Sequence, residues 1–212
     1  MTSRDQVALW DAEAPTFDEA TDHGLRDPMT RRAWRCLMAR LMPTAPARVA
    51  DLGCGTGSLS LLLAEEGYAV DGVDFSPEMV ARALAKTAGE PHVSIVEGDA
   101  FDPPLPPSSY DAVLSRHVLW ALPDPVEALR RWSSLLRPGG RLVLVEGSWS
   151  TGAGLTAEQS ADAAREVGLE PVVRPLPEPE LWGRGIDDER YAVVACVPRS
   201  VSSLPRAAHG AA

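Results

Sequence analysis

Basic residues are scarce in this 212-residue chain, which has 20 Lys and Arg against 30 Asp and Glu and a formal net charge of −10. Binding a phosphate backbone requires a concentrated field of Lys and Arg, and with none present no nucleic acid partner is expected. Long apolar runs are missing as well. Nothing approaches the roughly 18 to 20 continuous apolar residues of a membrane span. The N-terminal "MTSRDQVALWDAEAPTFDEA" is acidic and broken where a signal peptide is basic and then apolar, so the chain reads as cytoplasmic, with no membrane partner. Cysteine is rare: Cys36, Cys54 and Cys196 are odd in number, widely spaced and form no CxxC pair. That pattern builds neither a disulfide framework nor a zinc site, and no metal is expected. Lysine is nearly absent, Lys86 being the only one, and the abundance of Arg, Ala, Gly and Pro points to a GC-rich bacterial genome rather than to any chemistry.

With 45% hydrophobic and 24% charged residues, the chain has enough apolar side chains for one globular domain with a sizeable core. From residue 48 to 197, short β-branched runs alternate with amphipathic stretches, the pattern of a parallel sheet flanked by helices. "ARVADL", "YAVDGVD", "HVSIVEGD", "YDAVLSR", "RLVLVEG", "LEPVVRPL" and "RYAVVACVP" read as seven strands. The intervening helices are "GSLSLLLAEEG", closed by Gly67, then "SPEMVARALAKTAG", with Ser76 as cap and Pro77 in its first turn, "DPVEALRRWSSLL" and "TAEQSADAAREVG". About 15 irregular residues join the last two strands, too short for a parallel crossover, so the final strand is expected to be antiparallel. Residues 1–47 read as a helical cap with "PMTRRAWRCLMARLM" as its main helix; residues 1–197 form the single domain and 198–212 a disordered tail. Exposed Trp and Leu in the cap helix are compatible with either a monomer or a homodimer.

The first strand runs into "DLGCGTG", with Gly53, Gly55 and Gly57 at every second position. In an open parallel sheet the first strand-to-helix turn lies at the ligand edge, and glycine there lets a ligand touch the main chain. Residue 58 is Ser58, so the third glycine of the G-x-G-x-x-G dinucleotide pattern is missing. Asp74 ends the second strand, where a carboxylate can accept both ribose hydroxyls; Asp99 ends the third, where it can accept from an adenine amine. Asp51 precedes the glycines and can orient the turn or meet an ammonium group. Each acid also has an ordinary reading as a helix cap. Together they describe a ligand with an ammonium, a ribose and an adenine, but no phosphates.

"VADLGCGTG", "VDFSPEM", "VEGDAF" and "YDAVLSRHVLWAL" followed by "LLRPGGRLVLVE" resemble the successive motifs of class I S-adenosylmethionine-dependent methyltransferases, over residues 48 to about 146. The resemblance implies a Rossmann-like α/β fold: a seven-stranded, mostly parallel sheet with an antiparallel last strand, helices on both faces and an N-terminal helical cap. It implies S-adenosyl-L-methionine as cofactor and transfer of a methyl group to an O or N atom of a small metabolite. It further implies that Gly53, Cys54, Gly55 and Gly57 lie against the methionine part, Asp74 holds the ribose, and Phe75 and Met79 pack on the adenine. Asp99, Ala100 and Phe101 then flank the adenine edge, and the backbone of Ser115 meets the amino group. The segments "WDAEAPTFDEATDHGLRDP" and "LWGRGIDDERYAVVA" are similar to a bacterial small-molecule subgroup, which points to secondary metabolism such as antibiotic biosynthesis.

A sulfonium methyl is already electrophilic, so aligning the nucleophile is the main task, and a base adds about 10² to 10⁴ in rate. The candidate bases are His117 in "SRHVLW" and His23 in "DHG", with Glu146 and Tyr191 behind them; Asp22 beside His23 favours its protonated form. His117 has an equal alternative as a residue bonded to backbone or cofactor, and His23 as a structural residue. Phe17, Trp10 and Trp120 are candidates to close over the cofactor, Arg26, Arg31 and Arg116 to pair with its carboxylate, and Trp10, Trp120, Trp182 and Tyr191 to form the substrate wall. Two other readings stay open: a protein that binds S-adenosylmethionine without methylating, and an NAD-dependent oxidoreductase, which the missing glycine disfavours.

Overall fold

The computed structural model describes residues 3–199. The tail expected from residue 198 thus lies, from residue 200 on, outside the described residues. Helices α1 (Ser3–Glu13), α2 (Thr21–Gly24) and α3 (Pro28–Leu41) form the N-terminal cap, with a single 3-10 turn at Phe17–Glu19. The core then runs β1 (Arg48–Leu52), α4 (Ser58–Glu65), β2 (Ala69–Asp74), α5 (Pro77–Lys86), β3 (Val93–Glu97) and β4 (Tyr110–Arg116). It continues through α6 (Pro125–Leu135), β5 (Leu136–Ser148), α7 (Ala157–Glu166), β6 (Val172–Pro175), α8 (Pro179–Trp182) and β7 (Glu189–Cys196). Among the described residues no helix is long and apolar enough to cross a membrane.

The helices start where the chain offers a cap and a proline. Asp27, Ser76 and Asp124 each accept a hydrogen bond from the backbone N–H three residues on, and a proline follows each cap directly. Thr156 and Gln159 close a reciprocal capping box on α7. Helix α4 starts differently, from Gly57 in the left-handed region at φ 78°.

Seven strands form one sheet in the order β3-β2-β1-β4-β5-β7-β6, with β7 antiparallel to both neighbours and all other pairs parallel. The expected antiparallel last strand is present. The segment before it is not wholly irregular: Pro179–Trp182 forms the short α8, seated against α3. Both faces of the sheet are covered, which explains why residues 49–52 of β1, 112–115 of β4 and 142–147 of β5 are continuously buried. Val49, Leu114 and Val143 point into one core with Trp34, Leu37 and Leu62, while Ala50, Val113 and Leu142 point into the other with Leu129 and Trp132. The cap-helix Trp and Leu expected at the surface are interior: Trp34, Leu37 and Leu41 are buried, and the Trp34 ring meets Trp182 edge-on at 5.7 Å. That apolar face is spent within the chain.

This order leaves the ends of β2, β1, β4, β5 and the start of β7 side by side along one edge of the sheet. The order of strands reverses between β1 and β4, which is where ligands bind in open α/β sheets.

Candidate functional site

A cavity of about 880 Å³ opens along that edge. The glycine turn forms its floor. Gly53 and Cys54 donate their N–H groups to the Val73 carbonyl at 2.8 and 3.0 Å, tying the turn to β2. Gly53 has φ 71°, and a Cβ there would lie 2.3 Å from Val118 Cγ2. Gly55, with φ 55°, faces the Phe17 ring across the cavity mouth, 3.3 Å from where a Cβ would stand. Both positions therefore require glycine for conformation and for space. Gly57 does not line the cavity: a Cβ would meet Ala83 at 3.0 Å, so its work is the close approach of α4 to α5.

Asp74 is buried at the end of β2 and accepts from Gly55 N–H at 2.8 Å and Ser76 N–H at 3.0 Å. Burial pushes its carboxyl above the usual range, and these backbone donors pull the other way. With Phe75 N–H as a third backbone donor, at least one of the four lone-pair sites of the carboxylate stays unused, and Asp74 lines the cavity. Asp51, also buried, accepts from the Ser60 hydroxyl at 2.6 Å and is pushed up to about 6 by burial. Asp99 is exposed beyond β3 and accepts Phe101 N–H at 2.8 Å. Cys54, Phe75, Met79 and Ala100 complete this part of the wall.

The cap closes the other side. Phe17 stacks on His23 with centroids 4.3 Å apart, and Trp10 meets Phe17 edge-on at 6.2 Å. The only lysine fixes this cap: Lys86 Nζ reaches Asp18 at 2.8 Å, Thr56 at 2.9 Å and Ser58 at 2.7 Å. Burial raises the Asp18 carboxyl, but Lys86 and Thr56 outweigh it and hold it below the usual range.

Beyond β4 the chemistry changes sign. His117 sits at φ 59°, a left-handed conformation that costs a non-glycine residue about 1 to 2 kcal/mol. Buried Glu146 holds this turn by accepting from Val118 N–H at 3.0 Å and Leu119 N–H at 2.8 Å. With its second oxygen unpartnered among the described residues, Glu146 is pushed up to about 8 by burial. The His117 ring packs between Trp149, edge-on at 5.2 Å, and Trp182, stacked at 6.0 Å. Burial first, then Arg116, His23 and Arg190, hold its imidazole well below 6.5, so it is neutral at pH 7. His23 differs from the expectation drawn from Asp22: burial and Arg116 lower it more than Asp22, 3.7 Å away, raises it. Asp22, His23 and His117 bring three ligand atoms within 4.8 Å, but the Arg116 guanidinium acts on both imidazoles and disfavours a dication there. Arg116 donates to the Asp22 carbonyl at 2.5 Å and lies over the Trp34 ring.

The structure thus gathers Trp10, Phe17, His23, Asp51, Gly53, Cys54, Gly55, Asp74, Phe75, Met79, Asp99, Ala100, Arg116, His117 and Trp120 around one cavity. It places the others elsewhere. Ser115 is buried in β4 with its hydroxyl on the Leu52 carbonyl, which leaves the role of its backbone a proposal, and the Phe101 ring turns to the Arg131 guanidinium. Arg26 is solvated, with a 3.6 Å pairing to Asp18, and Arg31 is bound to Glu65 at 2.7 Å. Tyr191 points to the opposite face, its hydroxyl against Ser160, Leu155 and Thr156. Trp182 stands behind the wall, donating to the Leu176 carbonyl. Sequence reasoning missed Trp149 and Arg190 as lining residues; Arg190 follows three acids in "DDER", and it is its pairing with Gly147 that brings it to the cavity.

The family described as "Methyltransferase domain" matches residues 50–144. The chain is 37% identical over 174 residues to a ubiquinone biosynthesis O-methyltransferase of Xanthomonas axonopodis pv. citri, covering 80% of this chain and 65% of that one. It is 35% identical over 144 residues to a trans-aconitate 2-methyltransferase of Streptomyces avermitilis, covering 63% of this chain and 52% of that one. The chain spans about half the length of the curated relatives it matches first. Among solved structures it is similar to the [4+2]-cyclase SpnF, with a TM-score of 0.70 at 22% identity, over 79% of this chain and 81% of that one.

Proposed function

We propose that this chain, which belongs to the class I S-adenosylmethionine-dependent methyltransferases, transfers a methyl group to an oxygen or nitrogen atom of a small metabolite. The observation that carries this reading is the placement of Asp51, Asp74 and Asp99 at three neighbouring strand ends around a glycine turn that lines the cavity with no basic residue of its own. A pyrophosphate at such a turn is taken by free backbone N–H groups; here Gly53 and Cys54 donate to Val73, Gly55 to Asp74 and Gly57 to Cys54, and the acceptors around the turn fit a cofactor with an ammonium, a ribose and an adenine. The cavity volume is also in the range of cofactor sites.

When bound, S-adenosylmethionine supplies an electrophilic methyl group on a positively charged sulfur. Asp74 accepts the ribose hydroxyls with its unused lone pairs, and Met79 and Phe75 pack against the adenine that Asp99 meets at its edge. Asp51, ionised above about pH 6, takes the ammonium, and Arg116 takes the carboxylate. Trp120 and Trp149, edge-on at 5.5 Å, exclude water and hold the acceptor in line, the effect that contributes most to such a transfer. His117 accepts the acceptor's proton at Nε2, a buried atom with no partner among the described residues. The secondary-metabolic setting and the monomeric or dimeric state of the enzyme belong to the same proposal.

Incubating the full chain with S-adenosylmethionine and fractionated bacterial metabolite extracts, and following S-adenosylhomocysteine release, tests it. Release that depends on one fraction, and falls 10²-fold or more in His117→Ala, supports the assignment. Cofactor binding without release in any fraction would indicate a non-methylating role.

A further inference from the structure

The cavity has two electrical halves. Asp51, Asp74, Glu97 and Asp99 lie at the ends of β1, β2 and β3, Arg184 and Arg190 lie at the β7 side, and Asp22 and Arg116, bonded to each other, stand between them at the end of β4. At about 4.8 Å per strand, Asp74 and Arg190 are separated by four intervals, roughly 19 Å. A molecule that fills the acidic half with cationic and hydroxyl groups leaves the basic half to its co-substrate.

Arg190 is only 8% exposed, an unusual place for a guanidinium. Its Nη2 donates to Asp188 at 3.1 Å, but Nε and Nη1 have no partner among the described residues. The guanidinium lies over the rings of Trp149 and Trp182, 5.1 and 5.4 Å from their centroids, so it is held in place. Gly147, paired with Arg190 across β5 and β7, makes the room: a Cβ there would stand 2.9 Å from Nη1. One carboxylate at 3.1 Å does not saturate five N–H donors. Glu146, the acid of β5, accepts from Val118 and Leu119 at Oε1, and its Oε2 has no partner among the described residues, Arg190 included. The imidazole of His117, whose Nε2 is unpartnered, packs on the same Trp149 and Trp182 rings.

We infer that the methyl acceptor carries a carboxylate, which Arg190 binds while Trp120 and Trp149 cover its carbon skeleton. The inference rests on the methyl-transfer reading, because only a cofactor in the acidic half makes the basic half an acceptor site. Arg184, exposed at the mouth, gives the approaching acid a second positive charge in a chain of net charge −10.

The test uses the full chain loaded with S-adenosylhomocysteine and calorimetric titration with benzoate against benzamide, glutarate against glutaramide, and phenyl phosphate. At least one acid is expected to bind tenfold or more tightly than its amide. Arg190→Met is expected to bring that ratio within threefold, and Arg190→Lys to leave it between the two. The wild-type comparison stands even if a variant fails to fold. Equal affinity of acid and amide in both pairs overturns the inference, and so does tighter binding of phenyl phosphate than of either acid. An Arg190→Met protein that loses S-adenosylhomocysteine affinity also overturns it, assigning Arg190 to the cofactor. If the wild-type chain does not bind S-adenosylhomocysteine at all, the methyl-transfer reading itself fails.

Discussion

Replacing Asp74 with Ala probes the ribose contact directly. The carboxylate is buried at the cavity wall, and its oxygens already accept Gly55 N–H at 2.8 Å and Ser76 N–H at 3.0 Å, so both are fixed in orientation. Two hydroxyl donors from a ribose add two charge-assisted bonds of about 1.5 to 3 kcal/mol each. Loss of even one corresponds to at least about tenfold in affinity, and loss of both to about a hundredfold or more. The same substitution strands the two buried N–H groups, at about 1 to 3 kcal/mol of stability each. Asp74→Asn does not avoid this, because its amide nitrogen must face one of the two donors. Affinity for S-adenosylhomocysteine is therefore measured by calorimetry well below each variant's melting temperature, with folding checked separately. A folded Asp74→Ala protein whose affinity stays within threefold of wild type would refute the ribose assignment.

Gly53→Ala combines a side chain in the left-handed region, about 1 to 2 kcal/mol, with a Cβ 2.3 Å from Val118 Cγ2, about 1 to 3 kcal/mol of overpacking. A drop of roughly 2 to 5 kcal/mol in denaturant unfolding is expected, against no more than about 0.5 kcal/mol for Gly89→Ala, whose Cβ meets nothing within 4 Å; equal effects would contradict the packing. Glu146 titrates at about 8 when folded, above its value in the unfolded chain, so its contribution is complete below about pH 4.5 and is lost as pH rises toward 8. Glu146→Gln is expected to flatten the fall of melting temperature between pH 5 and 8, a contribution of a few kcal/mol at most; parallel melting curves would show that burial of this acid is relieved in solution. Asp51, at about 6, must ionise to meet an ammonium, so S-adenosylhomocysteine affinity is expected to fall below pH 6 by up to tenfold per pH unit. A flat profile from pH 5 to 8 would place the ammonium elsewhere.

What the sequence made legible was local. Strand ends, the caps at Ser76 and Asp124, and the acids beside the turn follow from short-range patterns that no distant partner overrides. What it hid depends on which strand lies beside which. Gly57 looks like a third ligand glycine until α5 brings Ala83 against it. Arg190 and Tyr191 are neighbours in β7, so they face opposite sides of the sheet. The aromatic residue that reads as a substrate wall bonds Ser160 on the far face, and the arginine beside it lines the cavity. That parity is fixed only by the insertion of β7 between β5 and β6, which no single segment encodes. Trp34 likewise reads as a surface aromatic until α8 and Trp182 cover it. Lys86, one residue in 212, clamps the cap to the glycine turn through Asp18, a contact between α5 and a loop nearly seventy positions away.

The central claim is that the cavity takes a phosphate-free adenosyl cofactor. Parallel calorimetric titrations of the full chain with S-adenosylmethionine and with NAD test it most directly. The account predicts one-to-one binding of S-adenosylmethionine, lost in Asp74→Ala, and no comparable binding of NAD; preferential binding of NAD would contradict it.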